Sequence, residues 1–207
     1  MTLRGKIPCR RLNPSRNPSG ENWREHKADL KQDFNRHCAY CDSFDGFRDA
    51  FFEVDHFIPK DFLLLHGTIS LTAYRNLVYS CRHCNNAKRA QWPSASETVS
   101  HNGKEGFIDP CSVELDDHLY RTKEGAILWK TPLGKWMCQK GFKFDERQDV
   151  IKLLYNLNRL RVLIEKLTAI NETMDKKSKE YKKVQLKIMK LAVTYCEYHR
   201  ELMDFYN

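Results

Sequence analysis

Cys38-Ala-Tyr-Cys41 opens the part of this chain that decides its fold. It is followed by Val54-Asp55-His56-Phe57-Ile58-Pro59, by Asn76-Leu77-Val78-Tyr79-Ser80, and by Cys81-Arg82-His83-Cys84-Asn85-Asn86-Ala87-Lys88. Two Cys-x-x-Cys pairs thus bracket an Asp-His pair and an Asn. A Cys-x-x-Cys turn sets two sulfurs on one side of the backbone, at the separation tetrahedral zinc requires. One pair alone also reads as a redox dithiol. Two pairs point to a single structural zinc held by Cys38, Cys41, Cys81 and Cys84. The gap between Cys41 and Cys81 exceeds the roughly 15–20 residues of a simple zinc ribbon, so a folded insertion lies between the knuckles.

That insertion carries the Asp-His pair. Phe51-Phe52-Glu53-Val54 is a short β-prone run that Pro59 stops. Asp55 and His56 then sit at a strand end, before a Pro-containing loop, and are placed to face a cleft; the alternative is an ordinary turn. Asp is a hard oxygen ligand suited to Mg2+ or Mn2+, and His is a base largely neutral at physiological pH. A second run, Leu77-Val78-Tyr79-Ser80, leads through the second knuckle into a helix expected over 82–91, limited by Pro93. The expected order is strand, loop, strand, helix.

The segment resembles the HNH endonucleases, the ββα-metal nucleases, in the variety with an added zinc held by four cysteines. The Cys pair, Asp-His with a following Pro, Asn-Leu, the second Cys pair, an Asn directly after it and a Lys three residues on all stand in the family's order, over about 50 of the 207 residues. The resemblance implies that His56 is the general base, that Asp55 and Asn85 hold a catalytic divalent cation, and that Asn76 braces the loop and orients the base. Many members have His where Asn85 stands, so this is an HNN form, and an amide oxygen favours Mg2+ over Zn2+. Lys88, about one turn beyond Asn85, is expected to face the same phosphate. Asn86 should point roughly 100° away. Four thiolates leave zinc no open position, so its expected role is structural.

Composition agrees with such a partner. Lys and Arg number 35 against 27 Asp and Glu, a formal net charge of +8. This surplus favours a polyanion through counterion release, and with a phosphodiesterase-like site it points to nucleic acid. Eight cysteines, four of them in knuckles, read as metal ligands and free thiols rather than disulfides; Cys9, Cys111, Cys138 and Cys196 are scattered singly. The first residues lack an apolar stretch of signal-peptide length, and no run of about 20 apolar residues suggests a membrane span. The expected location is the cytoplasm.

The expected architecture is α+β: a zinc-stabilised ββα-metal module, a small β region and a long C-terminal helical hairpin. Residues 1–36 form a basic arm, in which Arg10, Arg11 and Arg16 either track phosphates or belong to a loose tail, and a supporting helix over 20–36 with Trp23 and Phe34 inward. Residues 37–92 are the nuclease module. Residues 93–144 hold a linker and a hairpin flanking Lys123-Glu124-Gly125; Asp109 and His118 read as structural or surface residues, and His83, within the second knuckle, as a surface or phosphate-facing residue. Residues 145–207 are helical. Asp145 with Gln148 resembles a capping pair, Val150 to Leu167 follow a helical period, and Tyr181 to Phe205 repeat at steps of three and four. The lysines near the hairpin turn read as a solvated face, with a place along a DNA backbone as the alternative.

The leading expectation is a metal-dependent DNA endonuclease. Two others stand beside it: a zinc-containing nucleic-acid-binding module without catalysis, and a subunit silent until a partner docks on the hairpin. Small HNH proteins of similar layout accompany ATPases in bacterial anti-phage modules, and a loose resemblance to these implies an ATPase partner and an antiviral role. A homo-oligomer is a further expectation, since one cation site cuts one strand per visit.

Overall fold

Strand β1 (Phe52–His56) and strand β2 (Leu77–Cys81) pair antiparallel, with Phe52 opposite Cys81, Val54 opposite Tyr79 and His56 opposite Leu77. The computed structural model describes residues 2–47 and 51–206. All five residues of β2 are buried, which explains its unbroken apolar run: both faces of the strand are covered. Helices α1 (Lys27–Asp33) and, following β2, α3 (Arg82–Lys88) pack on these strands. A two-stranded sheet is marginal alone. Here the first knuckle is stitched to β2: the Ala39 amide donates to the Tyr79 carbonyl (2.7 Å), and the Cys81 amide to Cys38 Sγ (3.3 Å).

No loop separates β2 from α3. Cys81 ends the strand and, still extended (ψ 146°), serves as the helix N-cap. The helix stops at Lys88, shorter than the expected 82–91. Arg89 turns left-handed (φ 49°) and its amide closes on the Asn85 carbonyl at 3.0 Å. Between the strands lies α2 (Lys60–His66), where the sequence suggested only a Pro-containing loop. Pro59, at the N-cap with φ −57°, has no N–H to lose at a helix start, and Leu63 seats the helix in the core.

The basic arm is ordered and paired with acids. Arg10 makes two 3.0 Å contacts to the Asp109 carboxylate and donates to the Leu77 carbonyl. Arg11 binds Asp29 and Asp33, each at 2.8 Å. These two side chains are therefore neither phosphate-tracking nor loose, contrary to both expectations; only Arg16 stays at the surface, 3.6 Å from Glu25. Asp109 is accordingly a structural partner. The arm leads to a 3-10 turn, Trp23–His26, and to α1, with Trp23 and Phe34 buried as expected.

After α4 (Leu115–His118), strands β3 (Leu119–Arg121) and β4 (Ile127–Trp129) form the hairpin. It is followed by α5 (Pro132–Trp136) and a π-helical turn, Met137–Gly141. A 3-10 turn, Asp145–Arg147, precedes α6 (Gln148–Glu172). Gln148 does not pair with Asp145 as a cap. Its amide brackets Ile127 instead, accepting from its N–H (3.1 Å) and donating to its carbonyl (2.7 Å), so the side chain extends the hairpin's hydrogen bonding.

The chain divides into two units at Ile151/Lys152. In the second, α6 returns as α7 (Lys179–Tyr206). Asn171 donates to Gln185 at 3.5 Å, and Arg161 and Glu165 face Tyr195, so the helices run antiparallel. The predicted seam of α7 is half-buried or buried from Tyr181 through Leu202, whereas Phe205 is exposed. Among the described residues no helix is long and apolar enough to cross a membrane.

Candidate active site

The four knuckle cysteines are buried, and their sulfurs all lie within 4.8 Å of one another. Tetrahedral zinc with bonds of about 2.3 Å holds its ligands about 3.8 Å apart; Cys41 and Cys81 stand at 3.8 Å. The cluster fits a structural zinc. Hydrogen bonds surround it: the Tyr40 amide donates to Cys38 Sγ (3.5 Å), and Ser43 Oγ lies 3.1 Å from Cys41 Sγ. Bonds from Cys38, Cys81 and Cys84 hold the Cys41 thiol well below its ordinary pKa, whereas burial pushes Cys38 and Cys84 up. Arg147 is a member the sequence reading missed. Its guanidinium resists burial but is held charged, on balance, by Cys41, Cys84 and Cys81, and would offset part of the charge of a four-thiolate site.

Beside the knuckles a cleft of about 960 Å³ opens between β1, the N-terminal helical segment, the start of α2 and the exposed side of α3. Asp55, His56 and Asn85 all line it. Asp55 and His56 come from the end of β1, and Asn85 from the first turn of α3 beyond the second knuckle.

His56 is 5% exposed, with Trp23 edge-on to its ring at 4.9 Å. Its Nε2 lies 2.8 Å from the Leu71 carbonyl. A carbonyl only accepts, so in the neutral ring the proton sits on Nε2 and the lone pair on Nδ1. Burial pulls the imidazole pKa below its ordinary 6.5, against the opposing effects of the Leu71 bond and Asp55.

Asp55 Oδ2 accepts from the Tyr40 hydroxyl at 2.6 Å and lies 3.6 Å from Lys88 Nζ. Lys88 does not face the cleft as expected. Its side chain is 1% exposed, and Nζ donates to the His56 carbonyl at 2.7 Å. Asn76 contacts the loop rather than the imidazole: Oδ1 accepts from the Ile58 amide (2.8 Å) and Nδ2 donates to the Ile58 carbonyl (3.1 Å).

Asn85 Nδ2 donates to Glu53 Oε2 at 2.9 Å, and Arg82 Nε donates to the other oxygen at 3.0 Å. A carboxylate accepts only, so Glu53 fixes the amide orientation and leaves the Asn85 oxygen for another partner. Glu53, also in the cleft, went unnoticed in the sequence because it falls inside a β-prone run. Asn86 borders this cleft and a smaller one with His83, Arg89 and Lys143. Burial lowers the pKa of His83. His118 bonds Thr131 at 2.6 Å, away from the site.

Asp55, Asn85 and Glu53 bring hard oxygens to the cleft, the ligand type that divalent cations of the Mg2+ class take. Residues 38–91, about a quarter of the chain, match the family model of the HNH endonucleases. Neither a curated protein nor a solved structure matches. The matched segment contains both knuckles and every residue that the sequence placed in the site.

Proposed function

We propose, from the HNH endonuclease domain at residues 38–91, that this protein is a metal-dependent endonuclease hydrolysing phosphodiester bonds of DNA. The observation that carries the reading is the meeting in one cleft of Asp55, Asn85 and a His56 whose Nε2 is tied to the Leu71 carbonyl. His56 Nδ1 takes a proton from water as the water oxygen attacks phosphorus, and the departing ester oxygen is protonated from solvent. Asp55 and Asn85 would hold a divalent cation, Mg2+ or Mn2+, which when bound would supply positive charge at the phosphate and leaving oxygen.

The protein's other groups position these. Leu71 selects the tautomer, Glu53 orients the Asn85 amide, and Asn76 fixes the peptide two residues beyond His56. Lys88 acts from behind, holding the strand end through the His56 carbonyl. Arg24, Lys27, Lys60 and Arg89 line the cleft together with the acids Glu53, Asp55 and Asp61. Cations beside a candidate cation site suit a polyanionic backbone, and the +8 net charge favours the same partner.

Plasmid nicking with Mg2+ or Mn2+ tests the proposal. His56→Ala should lower the rate by about 10²-fold or more while retaining zinc and DNA binding. DNA binding without cutting by the wild type, or equal cutting by His56→Ala, overturns it.

A further inference from the structure

Tyr40 lies inside the first knuckle, between Cys38 and Cys41, yet its side chain ends at the cleft carboxylate. Tyr40 is 2% exposed, and its ring stacks on Phe142 with centroids 4.4 Å apart. The hydroxyl donates to Asp55 Oδ2 at 2.6 Å. At the other end of the same residue, the amide donates to the Cys38 thiol. One amino acid thus joins the four-cysteine cluster to the proposed cation ligand.

We propose that Tyr40 is a positioning residue through which the zinc knuckle sets the affinity of the cleft for its divalent cation. This rests on the nuclease reading above. Asp55 has two oxygens, and the phenol and the Lys88 ammonium both approach Oδ2. Oδ1 has no hydrogen-bond partner among the described residues, and the side chain borders the cleft. Fixing Oδ2 removes the rotation that would otherwise be lost on binding a cation. A phenol is protonated at neutral pH, so the hydroxyl is a donor to the carboxylate. The thiolates contribute no ligand to the cleft. They anchor the backbone that carries the phenol, while Phe142 holds its ring in plane.

Tyr40→Phe removes the hydroxyl and keeps the ring. The measurements on the zinc-loaded full chain are zinc content, Mn2+ binding by electron paramagnetic resonance, and cleavage against Mn2+ concentration. The expected result is an unchanged zinc content, an Mn2+ dissociation constant raised about tenfold or more, and cleavage restored to within a few-fold at saturating Mn2+. Phe142→Leu, which leaves the hydroxyl in place, should raise that constant by a smaller factor. A wild-type protein that binds Mn2+ and cuts, with Tyr40→Phe binding Mn2+ equally well, overturns this inference and leaves the nuclease intact. Loss of zinc from Tyr40→Phe also overturns it, because Tyr40 would then serve the knuckle itself. A wild type that binds no Mn2+ overturns both readings.

Discussion

Replacing Lys88 by Met separates two roles for this ammonium. Nζ lies 3.6 Å from Asp55 and 2.7 Å from the His56 carbonyl, and the paired side chains are 1% and 9% exposed. Burial pulls the lysine pKa down and Asp55 resists that pull, so the charge depends on its partner. Met keeps most of the volume and removes the charge. The carboxylate then retains only the Tyr40 hydroxyl, and the His56 carbonyl loses its side-chain donor. Removing one partner of a buried pair costs about 3–5 kcal/mol. For a chain of this size each kcal/mol shifts Tm by roughly 2–4 °C, so the expected fall is on the order of 6–20 °C, read by circular dichroism on zinc-loaded protein. DNA binding, measured against salt in a His56→Ala background, should keep the same slope. A lysine on a phosphate would instead reduce that slope by about 1. A reduced slope with an unmoved Tm would refute the buried-anchor assignment.

Two further predictions concern protons and zinc. Because burial lowers the His56 pKa, cleavage at saturating cation should hold steady down to neutrality and fall only below about pH 6.5; an acid midpoint above 7 contradicts this. The same shift costs stability as pH drops through 6.5 towards the lower folded value, since the unfolded chain takes the proton first. Stripping zinc with a strong chelator removes the clamp joining the first knuckle to β2 and α3, at a cost of about 10 kcal/mol or more. The near-UV signal and the thermal transition of the first unit should both disappear. A chelated protein that keeps its transition would show that the cysteines pack without metal.

The four-cysteine cluster and the cleft residues Asp55, His56 and Asn85 were legible in the sequence because they are written as side-chain identities at short, regular spacings. What was not legible acts otherwise. Leu71 contributes a carbonyl, which every residue has, so its identity carries no signal. Lys88 was misdirected by counting one turn from Asn85. Three residues advance about 300°, and the missing ~60° turns its side chain inward. Arg10 and Arg11 looked free because their carboxylates, Asp109, Asp29 and Asp33, arrive only through tertiary folding. Arg147 reaches the cysteines from a turn far along the chain. The hairpin strands and the period of the long helices were readable from local pattern. Helix α2 was obscured by Pro59, which the sequence presented as an interruption and the structure uses as a start.

Leu3 and Arg4 also bear on how the molecule assembles. The Leu3 amide reaches Asp116 across 113 positions, Arg4 reaches the Pro110 carbonyl across 106, and Arg121 returns to Leu3 across 118. Arg4 and Arg121 also seize the Ala39 and Cys41 carbonyls, on the back of the first knuckle. Contacts so distant along the chain form late, after the loop-closure cost has been met. During synthesis, therefore, Leu3 and Arg4 must wait for residues near 120 to leave the ribosome before they dock. Cys84, the last knuckle residue, is made before Pro110, Asp116 and Arg121, so this strap closes over the first knuckle only after all four cysteines exist.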